Sequence, residues 1–219
     1  DASCCASEVR AALKAGWLRL WWSRLLSGTT PATELTIDLK ERCNATGLRL
    51  LPAPPKPEMA DQVTGEQLSK TLRFLQKIYA YVVVDTASYL TEVVQSALDV
   101  ADLIVLVTTQ DIPSIKSCSS FLALADSSGI KRERIVFIMN RYDKRIAISP
   151  ERIGESLRQE IKASIPFEER IVPLSINRGV PFIIDNKSHP IGKSITTLAG
   201  IIKEKIAALE SGEQIPSKK

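Results

Sequence analysis

"YVVVDTASYLTEVVQSALDVADLIVLVTTQ" (Tyr81–Gln110) decides the fold class. It opens on a continuous apolar run, Tyr81–Val84, that ends in Asp85. Such a run reads as a strand buried on both faces of a parallel sheet. "YLTEVVQSALDVA" reads as a helix and "DLIVLVTTQ" as a second buried strand. A strand, a helix and a strand at this spacing form a parallel crossover unit, which is right-handed in nearly all proteins.

The alternation extends in both directions. Upstream, "LTIDLKERC" (35–43) reads as a short helix, and "GLRLLPA" (47–53) as a strand stopped by the prolines of "PPKPE". "TGEQLSKTLRFLQKI" opens with Thr64 and Gln67 in capping-box spacing, followed by an apolar stripe of Leu68, Leu72, Leu75 and Ile78. Downstream, "IPSIKSCSSFLALADSSG" is a helix closed by Gly129, and "RIVFIMN" is a third core strand. "SPERIGESLRQEIKASI" reads as a helix with Ser149 as cap and Pro150 in its first position. Ile153, Leu157 and Ile161 keep one face of it. A last helix over 190–209 buries Ile191, Ile195, Leu198, Ile202 and Ile206. The expected architecture is α/β: a doubly wound, mostly parallel sheet with helices on both faces. Residues 34–210 form this domain. Residues 1–33 are an atypical helical segment and linker carrying all three tryptophans, and 211–219 are a loose polar tail.

Composition narrows the class. The 219 residues are 44% hydrophobic and 25% charged, ordinary for a globular protein. A net charge of +4 without a basic stripe does not favour nucleic acid. Cys4, Cys5, Cys43 and Cys118 lack zinc spacing and fit a reduced, cytoplasmic setting. No uncharged apolar run reaches the ~18 residues of a spanning helix.

In doubly wound folds the ligand lies beyond the carboxyl ends of the strands. That rule selects Asp85–Ser88, Thr108–Asp111 and Asn140–Asp143. Asp85 either holds magnesium beside nucleotide phosphates or caps the following helix. Asn140 offers two donors and an acceptor, which suit the edge of a base or a turn. Arg141 and Lys144 face phosphate or water. His189 has no metal-ligand spacing, and no nucleophile elbow or Ser–His–Asp arrangement is present. A P-loop needs a glycine-rich turn, a lysine and a hydroxyl opening a helix. Gly16, Gly28, Gly47 and Gly65 are each isolated, and "SGTTP" lacks the lysine.

These residues carry a resemblance. "YVVVDTASYLTEVVQSALDVADLIVLVTTQDIPSIKSC" resembles the Walker B and switch II region of MinD/ParA-type ATPases. "IVFIMNRYDKR" is similar to their strand ending in an adenine-contacting Asn-Arg-Tyr, and "IPFEERIVPLSINRGVPFI" to their late Asn-x-Gly-x-Pro motif. Over about residues 35–209 the spacing fits best with the pilus-assembly CpaE/TadZ-like branch. The resemblance implies a P-loop NTPase-like fold, N-terminally incomplete, that uses ATP and magnesium. Asp85 is then the Walker B acid near magnesium, and Thr86, Ala87, Ser88 and Thr91 belong to switch II. Asn140 and Arg141 contact the base, with Ile165, Pro166 and Phe167 in its pocket. Asn177, Gly179 and Pro181 shape the loop beside the nucleotide. Pro173 breaks a helix there unless it sits in the first turn. The implied partners are a second copy, as a homodimer, and a pilus or secretion machine at the inner membrane, approached peripherally from the cytoplasm. The family's lysine-bearing Walker A loop has no counterpart in the chain, so tight triphosphate binding and hydrolysis are not expected. Two alternatives stand beside this one. The first is a pseudo-ATPase scaffold acting by protein contact. The second is a receiver-like phosphoacceptor domain with Asp85 as the modified acid and Thr108 or Thr109 as the switch hydroxyl. That fold wants an acidic pair near its first strand, which is not clear here.

Overall fold

The computed structural model describes residues 37–38, 49–51 and 63–211. The expectations for residues 1–33 and for most of the tail lie outside these. The chain divides into two compact units, one reaching to Ala101 and including Pro173–Pro181, the other Asp102–Val172 with Phe182–Lys219.

In the first unit, β1 (Ile37–Asp38) pairs antiparallel with β2 (Arg49–Leu50). The helix expected over 35–43 is therefore corrected at Ile37–Asp38. There a β-branched residue enters a ladder with Leu50, and tertiary pairing overrides local pattern. α1 (Gly65–Ile78) and α2 (Glu92–Val100) follow. The capping box of α1 is complete: Gln67 N donates to Thr64 Oγ1 at 3.3 Å, and Thr64 N donates to Gln67 Oε1 at 2.9 Å. The two helices pack together. Ser69 Oγ donates to Ser96 O at 3.5 Å, Gln76 Nε2 donates to Val100 O at 3.3 Å, and Gly65 lets the start of α1 close on Ser96 and Glu92. Leu72 and Leu75 are buried, as the stripe predicts, whereas Ile78 is exposed.

Tyr81–Asp85 overturns an expectation. The run is not a strand, and Val83 is 93% exposed. A strand is held by ladder bonds to a neighbour, and Tyr81–Asp85 has none among the described residues. Val82 packs against Leu75, together with Leu51 and Tyr79.

The second unit is the doubly wound part. β3 (Ile104–Thr108), β4 (Ile135–Tyr142) and β5 (Ile161–Pro166) form a parallel sheet in that order, with Ile104 opposite Ile135 and Phe137 opposite Ile161. The crossovers contain α3 (Ile112–Ser127) and α4 (Pro150–Leu157). α5 (Ile171–Arg178), a short α6 (Phe182–Asp185) and α7 (Pro190–Glu210) complete the chain. Alternate residues of each strand serve opposite faces. Val136, Ile138 and Ile165 pack with Ile191 and Leu198 of α7. Phe137 and Met139 pack with Cys118 of α3 and Ile153 of α4. Phe137 is fully buried, so truncating it to alanine would cost about 3–5 kcal/mol. Burial raises the Cys118 thiol above its usual range, which suits a packing role.

One helix is shorter than its pattern. The stripe Ile153–Leu157–Ile161 does not continue: Arg158 turns left-handed at φ 50°, and Ile161 begins β5. Arg158 N donates to Glu155 O at 3.3 Å and Gln159 N to Gly154 O at 3.0 Å, which is a Schellman stop. α3 ends the same way around Gly129 (φ 73°), as the sequence predicts.

Candidate functional site

The carboxyl ends of β3, β4 and β5 gather one polar cluster in the second unit. At the end of β3, Ser114 Oγ lies 3.2 Å from Thr108 Oγ1 and accepts from Thr109 N at 3.1 Å. Asp111 caps α3 through Ser114 N at 2.8 Å and also accepts from the Thr109 hydroxyl. Those donors lower its carboxyl below the usual range.

At the end of β4 the ladder is irregular between Met139 and Tyr142. Arg141 takes φ 54°, held there because its N–H donates to Asn140 Oδ1 at 2.9 Å. This conformation lays the Arg141 guanidinium 4.7 Å from the centroid of the Phe167 ring. Phe167 is itself fixed, since its N–H donates to Tyr142 O at 2.9 Å. Five predicted residues stand at these two strand ends: Asn140 and Arg141 on β4, Ile165 and Pro166 ending β5, and Phe167 just beyond. Ile165 is buried in the α7-facing core rather than lining the surface. Among the described residues the Nδ2 of Asn140 has no hydrogen-bond partner, so it offers donors to a flat ring carrying an acceptor. Asp143 follows, with its carboxyl held at about 2 by the Arg145 guanidinium and backbone N–H.

The remaining predicted residues belong to the first unit. Asp85 is exposed and makes no hydrogen bond or ion pair among the described residues. It is not the helix cap. That role falls to Thr91, whose side chain accepts from Val94 N at 3.2 Å. Thr86, Ala87 and Ser88 are exposed in the same connection. Asn177, Gly179 and Pro181 form a helix stop. Gly179 (φ 67°) donates to Ile176 O at 3.2 Å, and Val180 N to Ser175 O at 3.3 Å, a second glycine-closed Schellman motif. Pro173 lies in the first turn of α5, where its missing N–H costs nothing.

Sequence reading passed over two groups. Gln110, buried at the exit of β3, donates to Ile148 O and accepts from Asp143 N. The signal available was its place in the strand-end cluster. Glu168 accepts from Arg170 N and Ile171 N, which lowers its carboxyl, and lies 3.6 Å from His189 Nε2. Among the described residues no three His, Cys, Asp or Glu gather as a metal site. A recess of about 440 Å³ lined by Gly154, Arg158 and Ile161 opens at the start of β5, the wrong end of the sheet for a ligand.

No family model matches the chain. It is 25% identical over 169 residues to the septum site-determining protein MinD of Thermotoga maritima, covering 75% of this chain and 61% of that protein. The chain thus spans less than two thirds of that relative. Among solved structures, MinD of Aquifex aeolicus superimposes with a TM-score of 0.64 at 25% identity, covering 89% of this chain and 76% of that one. MinD of Pyrococcus horikoshii, solved with Mg-ADP, gives 0.65 at 20% identity, covering 81% and 74%. The α/β fold is like that of the MinD and ParA-family proteins on which it superimposes.

Proposed function

We propose that the chain carries the base-recognition and Walker B parts of a MinD/ParA-like nucleotide switch of the CpaE/TadZ type. In this reading it serves assembly or localisation of a pilus or secretion machine as a homodimer, peripheral to the inner membrane. The observation that carries it is the donor edge of Asn140 beside the Arg141–Phe167 pair at the carboxyl end of a parallel sheet. Nδ2 donors with no partner among the described residues suit a ring acceptor such as purine N7, and a guanidinium plane suits stacking. The resemblance assigns Asp85, in the first unit, to magnesium as the Walker B acid, and that assignment rests on its place in the sequence. Among the described residues no group of three or more His, Cys, Asp or Glu gathers as a cage. The sequence contains no G-x-x-x-x-G-K-[ST] stretch, so the phosphate contacts are poor and we assign no hydrolytic step to these residues.

Calorimetry with ATP and magnesium tests this. The expected Kd is above about 100 μM, since several kcal/mol of phosphate contacts are missing at about 1.4 kcal/mol per tenfold. Asn140→Ala should weaken binding further. Low-micromolar magnesium-dependent binding, or binding indifferent to Asn140→Ala, would refute the reading. The exposed Tyr81, Val83, Val84, Tyr89 and Leu90 favour a second reading, a scaffold that works by protein contact.

A further inference from the structure

We propose that Gln110 is a positioning residue for base recognition: it braces the loop that follows Asn140–Tyr142. The proposal rests on the nucleotide-binding reading above.

Gln110 is only 8% exposed, unusual for a glutamine. Its two amide ends are used in opposite senses. Nε2 donates to Ile148 O at 2.7 Å, and Oε1 accepts from Asp143 N at 2.6 Å. The amide orientation is therefore forced, because the flipped form would set oxygen against oxygen and N–H against N–H. Asp143 and Ile148 bracket the loop leaving β4. Within it, Arg145 N donates to Asp143 Oδ1 at 2.9 Å and Ile146 N to Asp143 O at 3.1 Å. Among the described residues no other hydrogen bond joins 143–148 to the rest of the chain. One side chain thus pins both ends of the loop.

The brace stands on firm ground. The exit of β3 is fastened to α3 through Ser114, Thr108 and Thr109. At its other end the loop continues directly from Tyr142, whose carbonyl seats Phe167, and from Arg141, which covers that ring. Releasing the loop frees the backbone that aims Asn140 and Arg141.

The test uses the full chain with Gln110→Leu, which removes both bonds, and Gln110→Glu, which keeps the size and the acceptor but loses the donor. Amide exchange and titrations with ADP and with pyrophosphate are measured together. In Gln110→Leu, the Asp143 amide should exchange about tenfold faster while Val136–Met139 stay protected. ADP binding should weaken about tenfold, with pyrophosphate binding unchanged. Gln110→Glu should keep the Asp143 amide protected and weaken ADP less. If Gln110→Leu does not fold, Gln110→Glu alone decides, because a wild-type ratio of ADP to pyrophosphate affinity in it overturns the proposal. Faster exchange with an unchanged ratio makes Gln110 merely structural, and unchanged exchange removes the brace; either overturns it. A wild-type protein that binds ADP no better than pyrophosphate removes base recognition itself, and the proposal with it, by a result visible before any substitution is made.

Discussion

Asn140 has two jobs that substitution can separate. Its Oδ1 holds Arg141 in the left-handed region, and its Nδ2 has no hydrogen-bond partner among the described residues. For a residue other than glycine that region costs roughly 1–2 kcal/mol. The hydrogen bond returns about 1 kcal/mol and the guanidinium over Phe167 roughly 0.5–1 kcal/mol at an exposed site, so the turn is nearly balanced. Asn140→Ala deletes the acceptor and should cost about 1 kcal/mol, seen as a Tm lower by about 2–4 °C for a chain of this size. Asn140→Asp keeps an acceptor beside a cation and should stay within about 1 °C of the parent, while losing the donors for a base. In an Arg141→Gly background the turn needs no holding, and the cost of Asn140→Ala should shrink by most of that kilocalorie. Thermal unfolding of the four-member cycle gives the coupling. An Asn140→Asp protein as destabilised as Asn140→Ala, or a cycle that is additive, would refute the account of the turn.

Two further outcomes are expected. Arg158 fills a Schellman position that Gly129 and Gly179 fill elsewhere, so Arg158→Gly should stabilise the chain by about 0.5–1 kcal/mol after the added freedom of the unfolded glycine is counted; equal or lower stability in chemical denaturation contradicts it. Asp143 titrates at about 2 against an ordinary 3.8, so its stabilising contact with Arg145 is fully present above pH 4 or so and is lost as pH falls through about 2. An NMR titration of the Asp143 carboxyl with a midpoint at 3.8 or above would show that Arg145 does not hold it.

Much of the second unit is legible in the sequence because its signals are local. Ser149 followed by Pro150 starts α4, Gly129 ends α3, and the apolar run of β4 is buried on both faces as its composition demands. The failures share a cause. The same stripe that makes Ile161 look helical also lets it pair with Phe137, and only the left-handed Arg158 tells them apart. Tyr81–Asp85 has the composition of a buried strand, but burial depends on neighbours that composition does not supply. In the site, Asn140 was readable from its place at a strand end. The φ of Arg141 and the brace of Gln110 depend on contacts between residues far apart in sequence and leave no local mark.

The order of the sheet bears on how the protein is made. β3, β4 and β5 pair in the order of synthesis, and their partners stand roughly thirty residues apart or less along the chain. Loop closure over such spans is cheap, and right-handed crossovers place α3 and α4 on their face as each strand arrives. This block can form before α7 has left the ribosome. Val136, Ile138 and Ile165 then wait uncovered until α7 supplies Ile191 and Leu198. Until α7 supplies them, that face is open to self-association, and the interval lasts at least through the synthesis of residues 167–198.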